Sequence, residues 1–211
     1  MEIRYFESID STQKRVLDDI RQQKITPPIC YYTNKQTDGI GSRNNRWIGL
    51  EGNMFFSFAL YQKNLPQDLP LASVSLYFSF LFKEILCKYD ARIWLKWPND
   101  FYIGKKKCGG CVTNKVGDMF VCGIGINTKQ APPMFEKVSL QIEEKKVLEE
   151  YFSLIKRQIS WKEIFRKFAL EFYKSKEFIT HYKGQEIDLK NAQLAEDGAL
   201  MINGERIYSL R

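Results

Sequence analysis

The stretch from Arg92 to Asn127 constrains the fold most, because strand-like runs follow one another with only short breaks between them. The apolar runs "RIWLKW" and "FYI" are separated by Pro98-Asn99-Asp100. Gly104-Lys105 then suits a tight turn, from which "CGGCVTN" returns, and "MFVCGIGIN" follows as another strand. The stretch therefore predicts a β-hairpin within a larger sheet.

Helical patterns surround further strand-like runs. Asp10-Ser11-Thr12 is suited to cap a first helix, and "ICYYTN" and "NMFFSFAL" read as strands. Apolar residues at helical spacing predict a second helix from Pro70 to about Lys88. Lys145 to Gln158 is a third helix, and Ser160 to Glu163 is a capping-box pattern that opens a fourth. The chain is therefore predicted to be α+β, with a mixed sheet and helices on one side of it.

The pattern changes after Gly184. Short strand-like pieces are separated by Asp197-Gly198 and Asn203-Gly204, both strong hairpin signals. We expect a main domain over residues 1–182 and a small all-β module over residues 183–211.

Composition limits the setting and the partners. The formal net charge of +7 implies an anionic partner, but the cations are spread along the chain and do not single out nucleic acid. An odd count of 5 cysteines and the start "MEIRYFESID" indicate reduced thiols and no signal peptide. The most apolar segment, Leu69 to Phe82, is too short for a membrane span. We expect a cytoplasmic protein that does not bind a membrane.

Several common catalytic motifs are missing from the sequence. No G-x-x-x-x-G-K-[ST] is present, and Gly39-Ile40-Gly41 and Gly123-Ile124-Gly125 both lack the third glycine of a dinucleotide-binding fingerprint. The one histidine, His181, lies outside any motif. Cys108-Gly109-Gly110-Cys111 is a single C-x-x-C inside a predicted strand, so metal or redox use is disfavoured.

Cations beside glycines are the remaining candidates for a site. The loop "QTDGIGSRNNRW" offers the Gln36 amide, which can donate and accept at once, and the ring of Trp47. Its Arg43 and Arg46 are matched to phosphate oxygens, although an ordinary mobile basic loop is the alternative. The glycines of Gly123-Ile124-Gly125 share one strand face, which indicates close approach either by a ligand or by a helix.

Lys105, Lys106 and Lys107 fall at or just past the predicted hairpin turn. Strand alternation sends neighbours to opposite faces, so only some of them can point into a pocket. A solvated turn is the alternative for each. That alternative is weakest for Lys107, because Gly109-Gly110 opens space beside its ammonium group.

Together these motifs resemble those of biotin–protein ligases. "KWPND", a hairpin, a lysine and a glycine precede a "GxGIN" strand, while upstream "DST" opens the first helix and "GNMFFSF" follows a loop that ends in tryptophan. The resemblance spans roughly Phe6 to Asn127. It implies a catalytic domain related to class II aminoacyl-tRNA synthetases, followed by a small SH3-like β domain.

The resemblance implies a biotin–[biotin carboxyl-carrier protein] ligase, which works in two steps. The biotin carboxylate attacks the α-phosphorus of Mg-ATP, which gives biotinyl-5′-AMP and pyrophosphate. A lysine amine on a biotin carboxyl carrier domain, of acetyl-CoA carboxylase or a related carboxylase, then attacks the mixed anhydride. Such catalysis is mostly positioning and charge stabilisation, so it needs no protein nucleophile. The motifs identify no ligand for Mg²⁺.

The resemblance also assigns roles to residues. Lys107 matches the family's essential lysine, which bridges the biotin carboxylate and the α-phosphate, and Asp100 matches an acidic position that helps the second step. Biotin-binding positions are matched by Ser11, Thr12, Gln36, Gly39, Gly41, Lys107, Gly110, Gly123 and Gly125. Nucleotide-binding positions are matched by Arg43, Arg46, Trp47, Asn99, Lys107 and Asn127.

The glycine loop departs from the family pattern G-R-G-R-x-G-R-x-W. Ile40, Ser42 and Asn45 stand at the usual arginine positions, and Arg43 and Arg46 lie one place along from two of them.

Two further points bear on the type of ligase. Gln13 stands where the family usually has asparagine. No helix-turn-helix precedes "DST", so the resemblance is to the short, enzyme-only ligases, and we expect no binding to DNA. We expect the ligase to be a monomer or a homodimer.

Two other functions compete with this one. A lipoate- or octanoate-handling ligase or transferase has the same fold, but its lysine lies in a different local context without "KWPND". A non-enzymatic nucleic-acid-binding module would account for the net charge of +7. It predicts basic and aromatic residues interleaved on one face, however, whereas here cations and glycines cluster around one presumed pocket.

Fewer cations in the glycine loop predict weaker retention of the adenylate or an altered affinity for ATP. A double variant with Ile40→Arg and Ser42→Arg restores two cations and should slow the dissociation of biotinyl-5′-AMP, because each adds attraction to the phosphate. Release of labelled adenylate after dilution measures this rate. Equal rates for the variant and the unchanged protein would count against the loop.

Overall fold

The computed structural model describes residues 1–41, 46–182 and 184–208. Its centre is a seven-stranded sheet in the order β1-β2-β3-β7-β6-β5-β4. In chain order these strands are β1 (Glu2–Phe6), β2 (Ile29–Thr33), β3 (Met54–Tyr61), β4 (Ile93–Lys96), β5 (Asp100–Ile103), β6 (Lys106–Val116) and β7 (Met119–Ile126). β1 pairs with β2 in parallel and the other neighbours are antiparallel, so the predicted mixed sheet is confirmed.

Four α-helices accompany the sheet in the described ranges, and they are α1 (Thr12–Arg21), α2 (Val74–Leu86), α3 (Glu144–Lys156) and α4 (Trp161–Glu171). Two predicted caps are confirmed, because Ser11 accepts from the N–H of Lys14 and Ser160 accepts from the N–H of Glu163. The helix predicted from Pro70 begins instead as a 3₁₀ turn at Leu71–Ser73. None of the described helices is long and apolar enough to cross a membrane.

The helices cover both faces of the sheet, so the expectation of helices on one side is wrong. α1 packs Val16 against Ala59 on one face, whereas the main core on the other face includes Phe58 and Tyr151 from α3. Phe58 and Ala59 are neighbours on β3 and therefore point to opposite faces. The periodicity of a helix shows which side of it is apolar, but not which face of the sheet it covers.

A small β module follows α4. β8 (Ile179–Tyr182) pairs with β9 (Gln185–Asp188), and β10 (Gln193–Leu194), β11 (Leu200–Ile202) and β12 (Glu205–Ile207) form a second, three-stranded sheet. The turns at both predicted hairpin signals contain residues with positive φ. The expected domain boundary after residue 182 lies within the β8–β9 hairpin and stays a prediction.

One turn docks this module against the main sheet and its helices. Three consecutive carbonyls of Glu196–Gly198 accept, in chain order, from Trp161 Nε1 at 2.8 Å, Ser73 Oγ, and Trp97 Nε1 at 2.9 Å. All three donor residues are buried. Because the bonds use the backbone of the turn, the geometry of the turn matters more than its side chains.

Separate replacement of Gly198 and Gly204 should distinguish the packing of this turn from backbone strain alone, because Gly204 lies in the next turn. Gly198 and Gly204 have φ of +82° and +81°, so alanine strains each by about 1–2 kcal/mol. A Cβ at Gly198 would lie 2.4 Å from Ser73 Oγ, whereas one at Gly204 meets nothing within 4 Å. We expect Gly198→Ala to lower the free energy of unfolding by about 1–3 kcal/mol more than Gly204→Ala, measured in urea. Equal losses would contradict the docking of this turn.

Candidate functional site

A cavity of about 280 Å³ lies over the centre of the sheet. Strands β3, β6 and β7 form its floor, and its walls are the start of α1, the loop between β2 and β3, and the segment after β7. The structure brings twelve of the sequence-predicted residues to this cavity: Ser11, Thr12, Gln36, Gly41, Arg46, Trp47, Asp100, Lys107, Gly110, Gly123, Gly125 and Asn127.

Three predicted residues are not placed in the cavity lining. Asn99 donates its amide to the carbonyl of Cys111 at 2.6 Å and is buried. The Gly39 carbonyl accepts from the Trp47 N–H at 2.8 Å, so the backbone of this glycine holds the backbone of Trp47 in place. Arg43 falls in residues 42–45, outside the described part of the chain, together with the other departures from the family loop at those positions.

Glycines on the floor make room for side chains from the walls. Gly110 on β6 lies directly opposite Gly125 on β7. A Cβ on Gly125 would lie 2.9 Å from the Trp47 ring, and one on Gly110 would lie 3.3 Å from Lys107 Nζ. On Gly123 a Cβ would lie 2.5 Å from a side-chain oxygen of α1. Side chains approach this strand face closely, and a cavity remains above it. The interpretation of the glycines as room for a helix and the interpretation as room for a ligand are therefore compatible.

Lys107 is the one lysine of the triplet that lines the cavity. Its Nζ lies 2.6 Å from Asp100 Oδ1, and both side chains are about a quarter exposed, at 27% and 25%. Lys105 and Lys106 are exposed, as the solvated-turn reading requires. The pairing of β5 with β6 has a register shift between Phe101 and Tyr102. Such bulges change the direction in which strand side chains point.

The inner end of the cavity is polar. The Thr12 N–H and hydroxyl both donate to Gln36 Oε1, at 2.8 Å and 3.0 Å. Thr12 Oγ1 and Ser57 Oγ hydrogen-bond each other at 2.9 Å. Ser57 is a polar residue in the otherwise apolar strand β3, and its position in "GNMFFSF" was a signal that sequence reasoning did not use.

Gln13 carries an unpaired acceptor at this end. Its Nε2 donates to Asn114 Oδ1 at 3.0 Å and to the carbonyl of Val121 at 3.1 Å, which fixes the amide. Its Oε1 is buried and has no hydrogen-bond partner among the described residues. Leaving such an acceptor unpaired costs about 1–3 kcal/mol, so a ligand with an N–H donor fits this position.

Asn53 holds the segment that carries Asn127. Its Oδ1 accepts from three successive backbone N–H groups of residues 128–130, at 3.0, 2.9 and 3.0 Å, and its Nδ2 donates to Asn127 Oδ1 at 3.4 Å. Further along the segment, the Glu136 N–H donates to the Lys107 carbonyl at 2.9 Å. This brings Phe135 to the cavity, a contact that no sequence motif indicates.

Both cysteines of the C-x-x-C motif lie on strand β6. Cys108 and Cys111 are buried, and burial raises the pKa of Cys108 to about 12, so its thiol stays protonated at neutral pH. Cys111 Sγ lies 3.3 Å from the sulfur of Cys122. Within the described ranges, no group of three or more His, Cys, Asp or Glu is placed to hold a metal ion.

Known proteins with similar sequences are ligases. The chain is 32% identical over 126 residues to the bifunctional ligase/repressor BirA of Escherichia coli (strain K12), a match that covers 56% of this chain and 38% of that protein. BirA of Bacillus subtilis (strain 168) is 28% identical over 141 residues, covering 62% and 42% of the two chains. The chain thus matches less than half of the length of these curated relatives.

Solved structures match nearly the whole chain. The biotin acetyl coenzyme A carboxylase synthetase of Helicobacter pylori, solved with bound biotinylated ATP, is 38% identical and superposes with a TM-score of 0.94 over 98% of this chain and 99% of that one. The biotin protein ligase of Aquifex aeolicus, in complex with biotin and ATP, shares the fold at 22% identity, with a TM-score of 0.78 over 100% and 96% of the two chains.

A family model settles the relationship that the motifs indicated. The model of the biotin/lipoate A/B protein ligase family matches residues 5–127, which is more than half of the chain and includes most of the cavity lining. The chain belongs to the biotin/lipoate A/B protein ligase family.

Proposed function

We propose that this protein attaches biotin to a lysine of a biotin carboxyl carrier domain, with ATP as the energy source and biotinyl-5′-AMP as the intermediate. The observation that carries the proposal is the position of Lys107, whose ammonium lies over the glycine floor of a cavity with a polar end. The similarity to the Helicobacter pylori synthetase over nearly the whole of both chains supports it. We propose a cytoplasmic enzyme that acts as a monomer or homodimer.

The polar end suits the ureido ring of biotin, which has two N–H donors and one carbonyl acceptor. The unpaired Gln13 Oε1 can accept from one N–H, and the Ser11 hydroxyl can donate to the carbonyl. Lipoate and octanoate have no N–H at this end, so they would leave Gln13 unpaired. A site built to hydrogen-bond a ligand group rejects an analogue that lacks it, which favours biotin over the other acids of the family.

Lys107 serves the first step by neutralising charge. The carboxylate of biotin and the phosphates of Mg-ATP repel each other, and a cation between them lowers the cost of bringing them together. In the free protein the ammonium pairs with Asp100 at 2.6 Å. Because the pair is partly exposed, solvent weakens it, and the lysine can exchange Asp100 for the substrate anions.

Asp100 serves the second step after this exchange. The acceptor lysine must lose a proton before its amine attacks the acyl carbon and AMP leaves. Once Lys107 has turned to the substrate, the Asp100 carboxylate can accept that proton.

On the nucleotide side we assign Arg46, Trp47 and Asn127 to ATP, together with Arg43 from the loop resemblance and Asn99 as support beneath the site.

Loss of the Lys107 ammonium should abolish most of the activity. We expect Lys107→Ala to reduce biotin transfer at least about a hundredfold, because a preorganised charge at the reacting groups is removed. Lys106→Ala is the matched control, since Lys106 is exposed in the same hairpin, and it should retain activity. Incubation with biotin, Mg-ATP and a carrier domain, followed by mass measurement of the carrier, checks both. Normal biotinylation by Lys107→Ala would overturn the assignment.

Ligand-dependent stabilisation should separate biotin from the competing ligands. A ligand at one hundred times its Kd stabilises the native state by about 2.7 kcal/mol, which raises Tm. We expect biotin with Mg-ATP to raise Tm, and octanoate with Mg-ATP or a single-stranded oligonucleotide to raise it less. A larger rise with the oligonucleotide would support the nucleic-acid-binding alternative instead.

A further inference from the structure

Trp47 differs from the other tryptophans in its indole N–H. The chain has 4 tryptophans, and three of them donate Nε1–H to a backbone carbonyl at ordinary distances. These are Trp94 to Gly104 at 3.0 Å, Trp97 to Gly198 at 2.9 Å and Trp161 to Glu196 at 2.8 Å. Trp47 Nε1 is buried and has no hydrogen-bond partner among the described residues.

The unpaired donor is held in place. The Trp47 backbone N–H donates to the Gly39 carbonyl at 2.8 Å, and a Cβ on Gly125 would lie 3.1 Å from Trp47 Nε1. The N–H is therefore fixed against the cavity floor and does not point to solvent. Buried donors in native proteins are nearly always paired, and an unpaired one costs about 1–3 kcal/mol. A group that enters this cavity and accepts the bond would recover that cost.

The chemistry of that group follows from the neighbouring donor. Gly110 and Gly125 are directly opposed, and Lys107 Nζ lies over the first as the Trp47 ring lies over the second. The Lys107 Nζ is 5.7 Å from the centroid of the Trp47 ring. An ammonium and an indole N–H are both donors with no acceptor of their own. Two such donors, held above neighbouring glycines of the floor, suit an anionic oxygen that lies between them.

We propose that the Trp47 indole N–H is a second donor to the anion that Lys107 binds, and so a further catalytic group of the reaction. This inference rests on the proposed function and deepens it. The ligand atom is an anionic oxygen where the carboxylate and the α-phosphate meet. A neutral donor adds stabilisation there without adding charge. That suits a loop in which Ile40 replaces one of the family's usual arginines.

The four indole N–H signals of the ¹⁵N-labelled protein test this directly. Addition of biotin and AMP should move the Trp47 signal downfield, because a new hydrogen bond to an anion deshields the proton. The other three indoles keep their carbonyl partners and serve as internal controls. A shift with biotin alone assigns the carboxylate, and a shift with AMP alone assigns the phosphate. The Trp47→Phe variant identifies the signal by its loss.

Calorimetry under the same conditions separates the possible failures. If the ligands bind and the Trp47 signal does not move downfield, the indole N–H is not a donor and the inference is wrong, while the proposed function stands. If neither biotin nor nucleotide binds, the proposed function and the inference fall together.

A matched pair of variants measures the catalytic effect. Trp47→Phe keeps an aromatic ring and removes the donor, and it should slow pyrophosphate release about ten- to a hundredfold with little change in Tm, the usual range for a hydrogen bond to a charged group. Trp94→Phe removes an indole N–H outside the cavity and should lower Tm while adenylate formation continues. If Trp47→Phe forms the adenylate at the unchanged rate, the ring is used without its N–H and the inference is overturned.

Discussion

The absence of side chains at two opposed floor positions is the constraint on which the site depends. Gly110 and Gly125 face each other across the central strands, and the space above them admits the Lys107 ammonium and the Trp47 ring. A methyl group at either position would meet one of those side chains at 3.3 Å or 2.9 Å. The cost of glycine within a strand is therefore offset by the close approach of functional groups. The rest of the sheet keeps the two strands in register.

The charge at the site is balanced before any ligand arrives. Asp100 and Lys107 belong to the two strands of one hairpin, and their ion pair gives the ammonium a partner in the free protein. An unpaired charge in this partly buried setting would be costly. Under the proposed function, the same pair supplies the groups for two successive steps, since the lysine can leave for the substrate anions and the carboxylate is then exposed to the incoming amine. The ion pair thus gives each of the two charged groups a partner before the substrates bind.

Local sequence patterns predicted most of the elements, and tertiary contacts decided the remainder. The caps at Ser11 and Ser160 and the hairpin of β5 and β6 follow short-range rules, so they could be predicted. β1 was not predicted, and the expectation that the helices lie on one side of the sheet was wrong, because both features depend on contacts with distant strands. In the site, the motifs identified Lys107, whereas the unpaired oxygen of Gln13 depends on two partners more than a hundred residues away.

A crystal structure with biotin and an ATP analogue whose α,β bridge cannot be cleaved would show where the Lys107 ammonium lies when both substrates are bound. We expect Lys107 Nζ to leave Asp100 and to lie within about 3.2 Å of a biotin carboxylate oxygen and an α-phosphate oxygen, over the glycine floor. Both ligands bound in the cavity with the ammonium still paired to Asp100, or turned into solvent, would contradict it.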